Sequence, residues 1–360
     1  MSDKSLELRK NLETKGLDAL FITNPANQRY LEGFTGADCF MLATCGKNYL
    51  IADSRYVEMA ERECRDAEVL PHRAPNPPLQ DVLSRLASGN GLRRIGFERE
   101  RLAWGLYDDI EKALGGVGVE LVPTSSLVEG IRAKKTEAEI ELIEAACGIA
   151  DRALDDVLPI IKPGISELDL KVELDYRMKI GGADDVSFDT MVLFGARPSQ
   201  PHANSSRGAR LKAGDFILID YGACRDGYRS DTSRTFVFGK ASDEQKLAYK
   251  TVLNAQEASL KKVFPGANGR DINDIALGII KEAGLPAFGH GIGHGVGLEI
   301  HEEPSLRQNT DVFLEAGMVI TIEPGSYKPG WGGIRIEDTV LVTPDGCRIL
   351  TRFPKELMEL

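Results

Sequence analysis

The chain has 360 residues, with 42% hydrophobic and 28% charged side chains and a formal net charge of −11 at pH 7. These proportions are those of an ordinary globular protein, and at this length two domains are the better expectation. The acidic balance argues against nucleic acid or an anionic membrane surface as a partner, because both attract clustered lysine and arginine. No apolar run approaches the roughly 20 residues that span a bilayer, and the stretch MSDKSLELRK has no hydrophobic signal segment.

The cysteines are scattered along the chain and form no CxxC pair. This pattern is typical of reduced thiols in a cytoplasmic protein, so we expect a cytoplasmic location and no catalytic cysteine. The six positions are Cys39, Cys45, Cys64, Cys147, Cys224 and Cys347.

The first part of the chain predicts an α/β domain that ends near residue 125. Apolar runs of strand length occur at DALFIT, KNYLIAD, EVLPH and RRIGFE, between segments with helical spacing. The predicted helices are LELRKNLETKG, SRYVEMAERECR, LQDVLSRLAS and WGLYDDIEKALGG, and Gly16 ends the first of them. The expected domains are therefore 1–125 and 126–360.

The second part predicts an α+β domain. Thr136 and Glu139 form a capping-box pattern at the start of a long helix, and Ser166 opens a second helix. From residue 186 onward, apolar strand segments with tight turns dominate, interrupted by helices over DEQKLAYKTVLNAQEASLKKVF and DINDIALGIIKEAG. Strand hairpins flanked by helices in this way indicate the α+β class.

Two acidic residues lie where a predicted strand hairpin brings them together. The apolar run FILI ends in Asp220, a tight turn follows, and the return strand carries Asp231. If the turn is Arg225-Asp226 the two carboxylates are directly opposite, and if it is Asp226-Gly227 they are diagonal neighbours. Either register places them on one face of the hairpin.

The arrangement recurs further along the chain. An apolar strand ends in Glu323, a Gly/Pro-rich loop centred near Gly330 follows, and the return strand carries Glu337 roughly opposite Glu323. Like charges that face each other beside an apolar strand are costly unless a proton, a cation or a metal neutralises one of them. Two such pairs therefore predict a shared counter-charge.

The stretch GHGIGHGVGLEIHEEP holds three of the five histidines and has glycine at every second position from Gly289 to Gly297. In an extended segment His290 and His294 share one face, and the opposite face has no side chains, so another backbone can approach closely. The spacing fits neither a GxGxxG dinucleotide loop nor an HExxH zinc motif. It predicts a ligand histidine held against the acid hairpins, with a solvent-exposed glycine-rich loop as the alternative.

Four carboxylates and one imidazole can hold two divalent ions with the acids bridging between them. This mixed oxygen and nitrogen donor set suits Mn2+, Fe2+, Co2+ or Zn2+ better than Ca2+ or Mg2+. Two ions about 3.5–4 Å apart polarise a carbonyl and deprotonate a bridging water, so hydrolysis is the predicted chemistry. We expect two divalent metal ions, with Mn2+ first among the candidates.

At these residues the chain resembles the M24 metallopeptidases with the pita-bread fold, in the branch of aminopeptidase P and prolidase. The resemblance spans nearly the whole chain. The stretches YLEGFTGADCFML and LIADSRYVEMA resemble the creatinase-type N-terminal domain, which has a ribonuclease H-like α/β fold. The DSRY and GFE stretches resemble the short bacterial type of aminopeptidase P more than archaeal prolidases. The family's five metal ligands match, in order, Asp220 in LIDYG, Asp231 in YRSDTSRTF, His294 in GIGHGVGLEIH, Glu323 in TIEPG and Glu337 in GIRIEDT.

The resemblance also implies roles for residues around the metals. His202 and His301 would contact the substrate carbonyl or stabilise the tetrahedral intermediate, with a hydrogen-bonded structural role as the alternative. His290 would flank the substrate pocket, with the same alternative, and Arg335 would order the metal site through hydrogen bonds. Tyr228 would lie near the metals and the substrate, with core packing as the alternative.

The activity that the resemblance implies is that of an Xaa-Pro aminopeptidase, in which a hydroxide bridging two metal ions cleaves the bond before proline. Glu323 would be the proton shuttle as well as a ligand. Prolidase, with the same chemistry on dipeptides, is the alternative, and it requires a group for the proline carboxylate that the sequence does not reveal. Metal-free creatinase-type hydrolysis and a non-catalytic binding module are further alternatives, although all five ligands are present. The resemblance also implies a homodimer.

Overall fold

The computed structural model describes residues 3–360, and internal contacts divide the chain into two compact units after Arg132. The sequence places this boundary near residue 125 instead. The difference arises because a short helix at Glu129–Arg132 is tied to the first unit. Its Arg132 Nη1 donates to Asn27 Oδ1 at 2.7 Å, and Asn27 Nδ2 donates to Glu129 Oε1 at 2.7 Å.

The first unit is an α/β domain built on one mixed sheet. Its strands are β1 (Ala19–Ile22), β2 (Cys39–Thr44), β3 (Asn48–Asp53), β4 (Glu68–His72), β5 (Arg94–Glu98) and β6 (Glu120–Thr124). Its helices are α1 (Asp3–Lys15), α2 (Pro25–Glu32), α3 (Val57–Glu63), α4 (Leu79–Gly89), α5 (Trp104–Gly115) and α6 (Glu129–Arg132). The sheet order is β4-β3-β2-β1-β5-β6, with β1, β2 and β3 antiparallel and the outer strands parallel to their neighbours. The four strands and four helices expected here are present, and β2, β6, α2 and α6 are additional.

The second unit has four helices that flank several small sheets. The helices are α7 (Glu137–Val157), α8 (Glu167–Ile180), α9 (Asp243–Leu260) and α10 (Gly269–Glu282) in the described range 3–360. The strands up to the first acid hairpin are β7 (Asp185–Val186), β8 (Met191–Phe194), β9 (Phe216–Tyr221), β10 (Ala223–Arg225), β11 (Tyr228–Arg229) and β12 (Thr232–Val237). The later strands are β13 (Gly293–Gly295), β14 (Glu302–Leu306), β15 (Val319–Ile322), β16 (Gly325–Lys328), β17 (Gly332–Arg335), β18 (Asp338–Thr343) and β19 (Gly346–Ile349).

Apolar side chains hold the helices of the second unit on its sheets. The sheets have the orders β11-β10-β7, β12-β9-β8, β14-β13-β15-β18-β19 and β16-β17. Helices α7 and α8 share a buried cluster with β8, β9 and β12, while α9 and α10 share another with β15 and β18. The capping box of Thr136 and Glu139 at the start of α7 is present as predicted. The strands that carry or adjoin the four acids are thus packed between the helix pair α7–α8 and the helix pair α9–α10.

Two sequence expectations about the whole chain can be compared with the structure. All six cysteines are free thiols, as the sequence predicted. Within residues 3–360, no helix combines the length and the apolar character needed to cross a membrane.

A fully buried ion pair joins β12 to β18. Arg234 Nη2 lies 2.8 Å from Asp338 Oδ1, and each side chain is only 1% exposed. The same guanidinium donates to the backbone carbonyl oxygens of Ser233, Glu337 and Phe353. Asp338 accepts further hydrogen bonds from Gln256, Thr351 and Lys355. Because buried charges are tolerated only when they are fully paired, this network fixes the two strands beside the acid hairpins.

Replacing Asp338 with Asn should lower the free energy of unfolding by about 3–5 kcal/mol, because Arg234 would remain as an uncompensated buried charge. Urea unfolding followed by circular dichroism measures the change. The matched control is Asp345→Asn in the exposed turn between β18 and β19, which should change stability by less than about 0.5 kcal/mol. Equal effects of the two substitutions would contradict the importance of the ion pair.

The glycine-rich strand β13 offers a second test of packing. A Cβ at Gly293 would lie 1.9 Å from Thr321 O, whereas a Cβ at Gly289 would meet nothing within 4 Å. Gly293→Ala should therefore destabilise the chain by about 3 kcal/mol, and Gly289→Ala should have little effect. Thermal unfolding of both variants checks the difference, and a tolerated Gly293→Ala would show that this backbone contact is not tight.

Candidate metal centre

The first acid hairpin has the second of its two predicted registers. Its tip is Asp226-Gly227, with φ of 46° and 77°, which are the left-handed values that a two-residue type I′ turn requires. In the same register Asp220 pairs with Ser233. Asp231 is therefore a diagonal neighbour of Asp220 and not its direct partner. The two carboxylates lie on one face, as predicted for either turn.

The second acid hairpin has the predicted register. Gly325 pairs with Arg335 in β16–β17, and Ile322 pairs with Asp338 in β15–β18, so the two ladders share one alignment. That alignment sets Glu323 opposite Glu337, which confirms the prediction. The two hairpins are joined directly, because Glu337 N donates to Ser233 O at 3.2 Å.

The glycine-rich stretch forms the central strand between β14 and β15. A Cβ on Gly293 would lie 1.9 Å from Thr321 O, and one on Gly295 would lie 2.1 Å from Glu303 O. Neighbouring backbones therefore occupy the face without side chains, as predicted, and the exposed-loop alternative is wrong for this strand. His294 between the two glycines is held on the opposite face, towards the acids.

The side chains of the predicted metal ligands lie close together. His294 Nε2 lies 3.5 Å from Asp231 Oδ2 and 3.5 Å from Glu323 Oε1. Ligand atoms of Asp231, His294 and Glu337 all lie within 4.8 Å of one another. The Oδ1 atom of Asp220 is buried and has no hydrogen-bond partner among the described residues, so it is available to a cation. Four of the five predicted ligands therefore lie together, and the fifth, Asp220, is near enough for its charge to raise the pKa of Asp231 and Glu337.

Arg335 binds the acids as the resemblance implies, and it does so through a serine that the sequence reasoning missed. Its guanidinium donates to Asp220 Oδ2 and, through Nε at 2.7 Å, to Ser233 Oγ. Ser233 in turn donates to Glu337 Oε2 at 2.8 Å. The position of Ser233, two residues after Asp231 on the same strand face, is the signal that could have identified it.

A partly buried tyrosine links His290 to Arg335, and the sequence reasoning missed it as well. Tyr327 OH lies 3.0 Å from His290 Nε2 and accepts a hydrogen bond from Arg335 Nη1 at 3.2 Å. His290 Nδ1 lies 3.8 Å from Glu323 Oε2, so this imidazole borders the metal ligands. Tyr327 follows Glu323 by an even spacing in a strand, which places both side chains on one face.

His301 and His202 lie at the exposed side of the cluster. The rings of His301 and His294 pack edge to face with centroids 4.3 Å apart. Burial lowers the pKa of His301, and the charges of His202 and Arg307 lower it further, so both of these side chains are near it. The turn that carries His301 is anchored by the neighbouring Glu302, whose buried carboxylate lies 2.9 Å from Lys135 Nζ.

Tyr228 is placed differently from the other predicted site residues. Its hydroxyl donates to Glu139 Oε1 at 2.6 Å, and its ring packs against the apolar cluster that contains Ile143 and Val319. These contacts are those of the core-packing alternative. The expected role of Tyr228 in binding substrate stays a prediction.

The electrostatics of the cluster call for a cation. Burial first, and the neighbouring carboxylates second, raise the pKa of Asp231 and Glu337 well above their ordinary values. Burial likewise raises the pKa of Glu323 to about 7, although the charge of Arg335 opposes it. Burial lowers the pKa of His294 to about 3, so its imidazole is neutral and can act as a metal ligand. Carboxylates and a neutral imidazole are donors that fit divalent metal ions.

The pH dependence of stability should reveal Glu323. Its folded pKa near 7 lies above the ordinary value of 4.5, so the folded chain holds a proton that the unfolded chain releases between these pH values. The contribution of Glu323 to stability is therefore complete below pH 4.5 and is lost as the pH rises through 7. On going from pH 5 to pH 8, the metal-free chain should lose on the order of 3 kcal/mol relative to a Glu323→Gln variant.

Urea unfolding of both metal-free proteins at the two pH values measures this difference. Glu257→Gln on the exposed face of α9 is the matched control, and it should follow the unsubstituted chain at both values. An unchanged pH dependence in Glu323→Gln would contradict the raised pKa of this carboxyl.

Comparison with known proteins places the site in a family. Residues 141–344 match metallopeptidase family M24, and residues 5–134 match the creatinase/prolidase N-terminal domain. A solved structure of an Xaa-Pro dipeptidase from Bacillus anthracis is 38% identical, covers 99% of both chains and has a TM-score of 0.94. An X-Pro aminopeptidase structure from Thermotoga maritima is 35% identical, covers 98% of this chain and 100% of its own, and has a TM-score of 0.88. The Xaa-Pro dipeptidase of Pyrococcus horikoshii is 34% identical over 99% of each chain.

These similarities cover almost the entire length of the chain. They confirm the expected fold, a C-terminal pita-bread domain preceded by a creatinase-like α/β domain. They also agree with the donor set, because the family depends on divalent metal ions. The chain therefore belongs to metallopeptidase family M24 and is a metal-dependent peptidase.

Proposed function

We propose that this peptidase cleaves the bond between a first residue and a following proline, and that Xaa-Pro dipeptides are its main substrates. The observation that carries the proposal is the convergence of Asp231, His294 and Glu337 on one point. Similar proteins from Pyrococcus and Bacillus are named Xaa-Pro dipeptidases. They support prolidase, the alternative of the sequence analysis, over its first expectation, aminopeptidase P. The similar X-Pro aminopeptidase from Thermotoga maritima keeps aminopeptidase P as the second candidate.

The five ligands would hold two divalent ions, for which Mn2+ remains the first candidate. When bound, these ions would polarise the scissile carbonyl and supply hydroxide at neutral pH. Glu323, with a pKa of about 7, can take up and return a proton near neutral pH, which suits the role of proton shuttle. We assign the hydrogen bonds to the substrate carbonyl to His301, whose ring packs against that of His294, and to His202. Arg335 is bound to the acids and holds them in place, so in this proposal the histidines contact the substrate and Arg335 does not.

A dipeptidase must also recognise the carboxylate of proline, only one residue from the scissile bond. Arg307, which directly follows β14, is exposed, and its charge lowers the pKa of both His294 and His301 after the larger effect of burial. It is thus a cation near the metal ligands that is distinct from Arg335, which is already bound to Asp220. We assign the proline carboxylate to Arg307 within this proposal. The homodimer and the cytoplasmic location stay with the proposal as expectations from the sequence.

The substrate assignment is tested with metal-stripped protein to which Mn2+ is returned. The kcat/KM for an Xaa-Pro dipeptide should exceed that for an Xaa-Pro-Yaa tripeptide at least about 10-fold, and both activities should require metal. Asp231→Asn should lower activity by more than roughly 100-fold. That is the largest loss usual when a residue that hydrogen-bonds to a metal ligand is replaced, and Asp231 is itself a predicted ligand. A preference for the tripeptide would instead establish aminopeptidase P. No cleavage of either peptide by metal-loaded protein would overturn the proline specificity.

The role of Arg307 has its own test. Arg307→Gln should raise KM for the dipeptide about 10- to 100-fold, since a charge-assisted hydrogen bond to the carboxylate is lost. The tripeptide, whose carboxylate lies one residue further away, should be affected much less. Arg307→Lys keeps the charge and should restore part of the loss. Equal effects on the two peptides would rule out recognition of the proline carboxylate by this residue.

A further inference from the structure

A groove of about 470 Å3 lies on the second unit, and none of its lining residues is a metal ligand. Its walls come from α7, the turn that follows α8, the tip of β10 and the segment after β19. The volume is within the range of small-molecule sites in proteins. The charged side chains that line it are Glu144, Arg152, Arg225 and Arg352.

The groove is positively charged in a chain whose net charge is −11. Its one lining carboxylate, Glu144, accepts hydrogen bonds from Arg348 at 2.8 Å and from Arg352 at 2.7 Å. Arg348 first, and Arg352 with it, lower the pKa of Glu144, so this acid is ionised and already neutralised by its own partners. The charge of Arg152 is thus left to face the groove, together with that of Arg225, which Asp184 offsets only in part from 3.5 Å.

The two remaining arginines have donors to spare. Arg225 Nη1 donates to Gly182 O at 2.8 Å and lies 3.5 Å from Asp184 Oδ1, which leaves most of its five N–H groups unused. In the described range 3–360, no hydrogen bond or ion pair involves the guanidinium of Arg152. Like charges gathered around one groove favour the binding of an anion, as the four carboxylates favour a cation.

Three of the residues that line the groove are glycines, and they lie beside the small or apolar side chains of Ala145 and Ile149. Gly148 lies in the interior of α7, where glycine costs about 1 kcal/mol relative to alanine. Its backbone is helical, so no left-handed conformation demands glycine there. A Cβ at Gly148 would lie 3.4 Å from Arg152 Nη1, directly under the guanidinium. Gly181 and Gly182 also line the groove.

From these features we propose that the groove is a binding site for a small phosphate-bearing ligand, held by Arg152 and Arg225. A guanidinium presents parallel N–H groups that match two phosphate oxygens at once, and the three glycines let the ligand approach the backbone. The site is separate from the peptidase centre, so the proposal is independent of the substrate assigned there.

The test is calorimetric titration of the full-length protein, as purified, with pyrophosphate. The titration is repeated after chelation of metal ions, because pyrophosphate also binds divalent ions. Binding should survive chelation, and Arg152→Gln and Arg225→Gln should each weaken it at least 10-fold. Gly148→Glu, which places a carboxylate under Arg152, should abolish binding. The matched control is Arg207→Gln, an exposed arginine outside the groove, which should bind like the unsubstituted chain.

Three results would overturn the proposal, and each would point to a different explanation. Binding that disappears on chelation would assign pyrophosphate to the metal centre. An equal loss in Arg207→Gln would indicate non-specific attraction to surface charge. Equal affinity for the tricarboxylate tricarballylate would exclude a site built for phosphate. Peptidase activity measured in parallel should be unchanged in Arg152→Gln, which confirms that this exposed variant is folded.

Discussion

The fold of the second unit is organised around the burial of mutually repelling carboxylates in one place. Asp231 and Glu337 are buried and lie with Glu323 around a single histidine. Burial first, and the charges of neighbouring carboxylates after it, raise the pKa of each of these three acids, so they cannot all ionise without a counter-charge. The surrounding structure must therefore hold the acids in position when no metal is bound. Two arginines, Arg335 and Arg234, hold the acids in position.

The two arginines hold different parts of the acid hairpins. Arg335 binds the carboxylate of Asp220 and, through Ser233, that of Glu337, so it fixes side chains. Arg234 binds the backbone carbonyl oxygens of Ser233 and Glu337 and pairs with Asp338, so it fixes the strands. Because both sets of contacts join protein groups to one another, they restrict the positions that the ligand side chains and their strands can take.

The sequence predicts most of this centre because its parts follow the two-residue period of strands. The register of the second hairpin, the close approach at Gly293 and the face of His294 all follow from that period. The period does not reveal which two residues form the first turn, and the left-handed conformation of Asp226-Gly227 decides it. Nor does it reveal partners supplied by tertiary packing: Ser233 and Tyr327 gain their roles from Arg335, and Tyr228 is drawn to Glu139 on α7.

The distinction between a dipeptidase and an aminopeptidase lies outside the metal ligands. Similar proteins with both names are 34–38% identical to this chain over nearly their whole length, so overall similarity cannot separate their substrates. Arg307, the residue that we assign to the proline carboxylate, is exposed and lies in an irregular segment. Such segments have no periodic pattern, and a side chain there is placed by the loop and not by a ladder. Local motifs therefore predict the chemistry, whereas the length of peptide accepted depends, under our proposal, on a charged side chain outside those motifs.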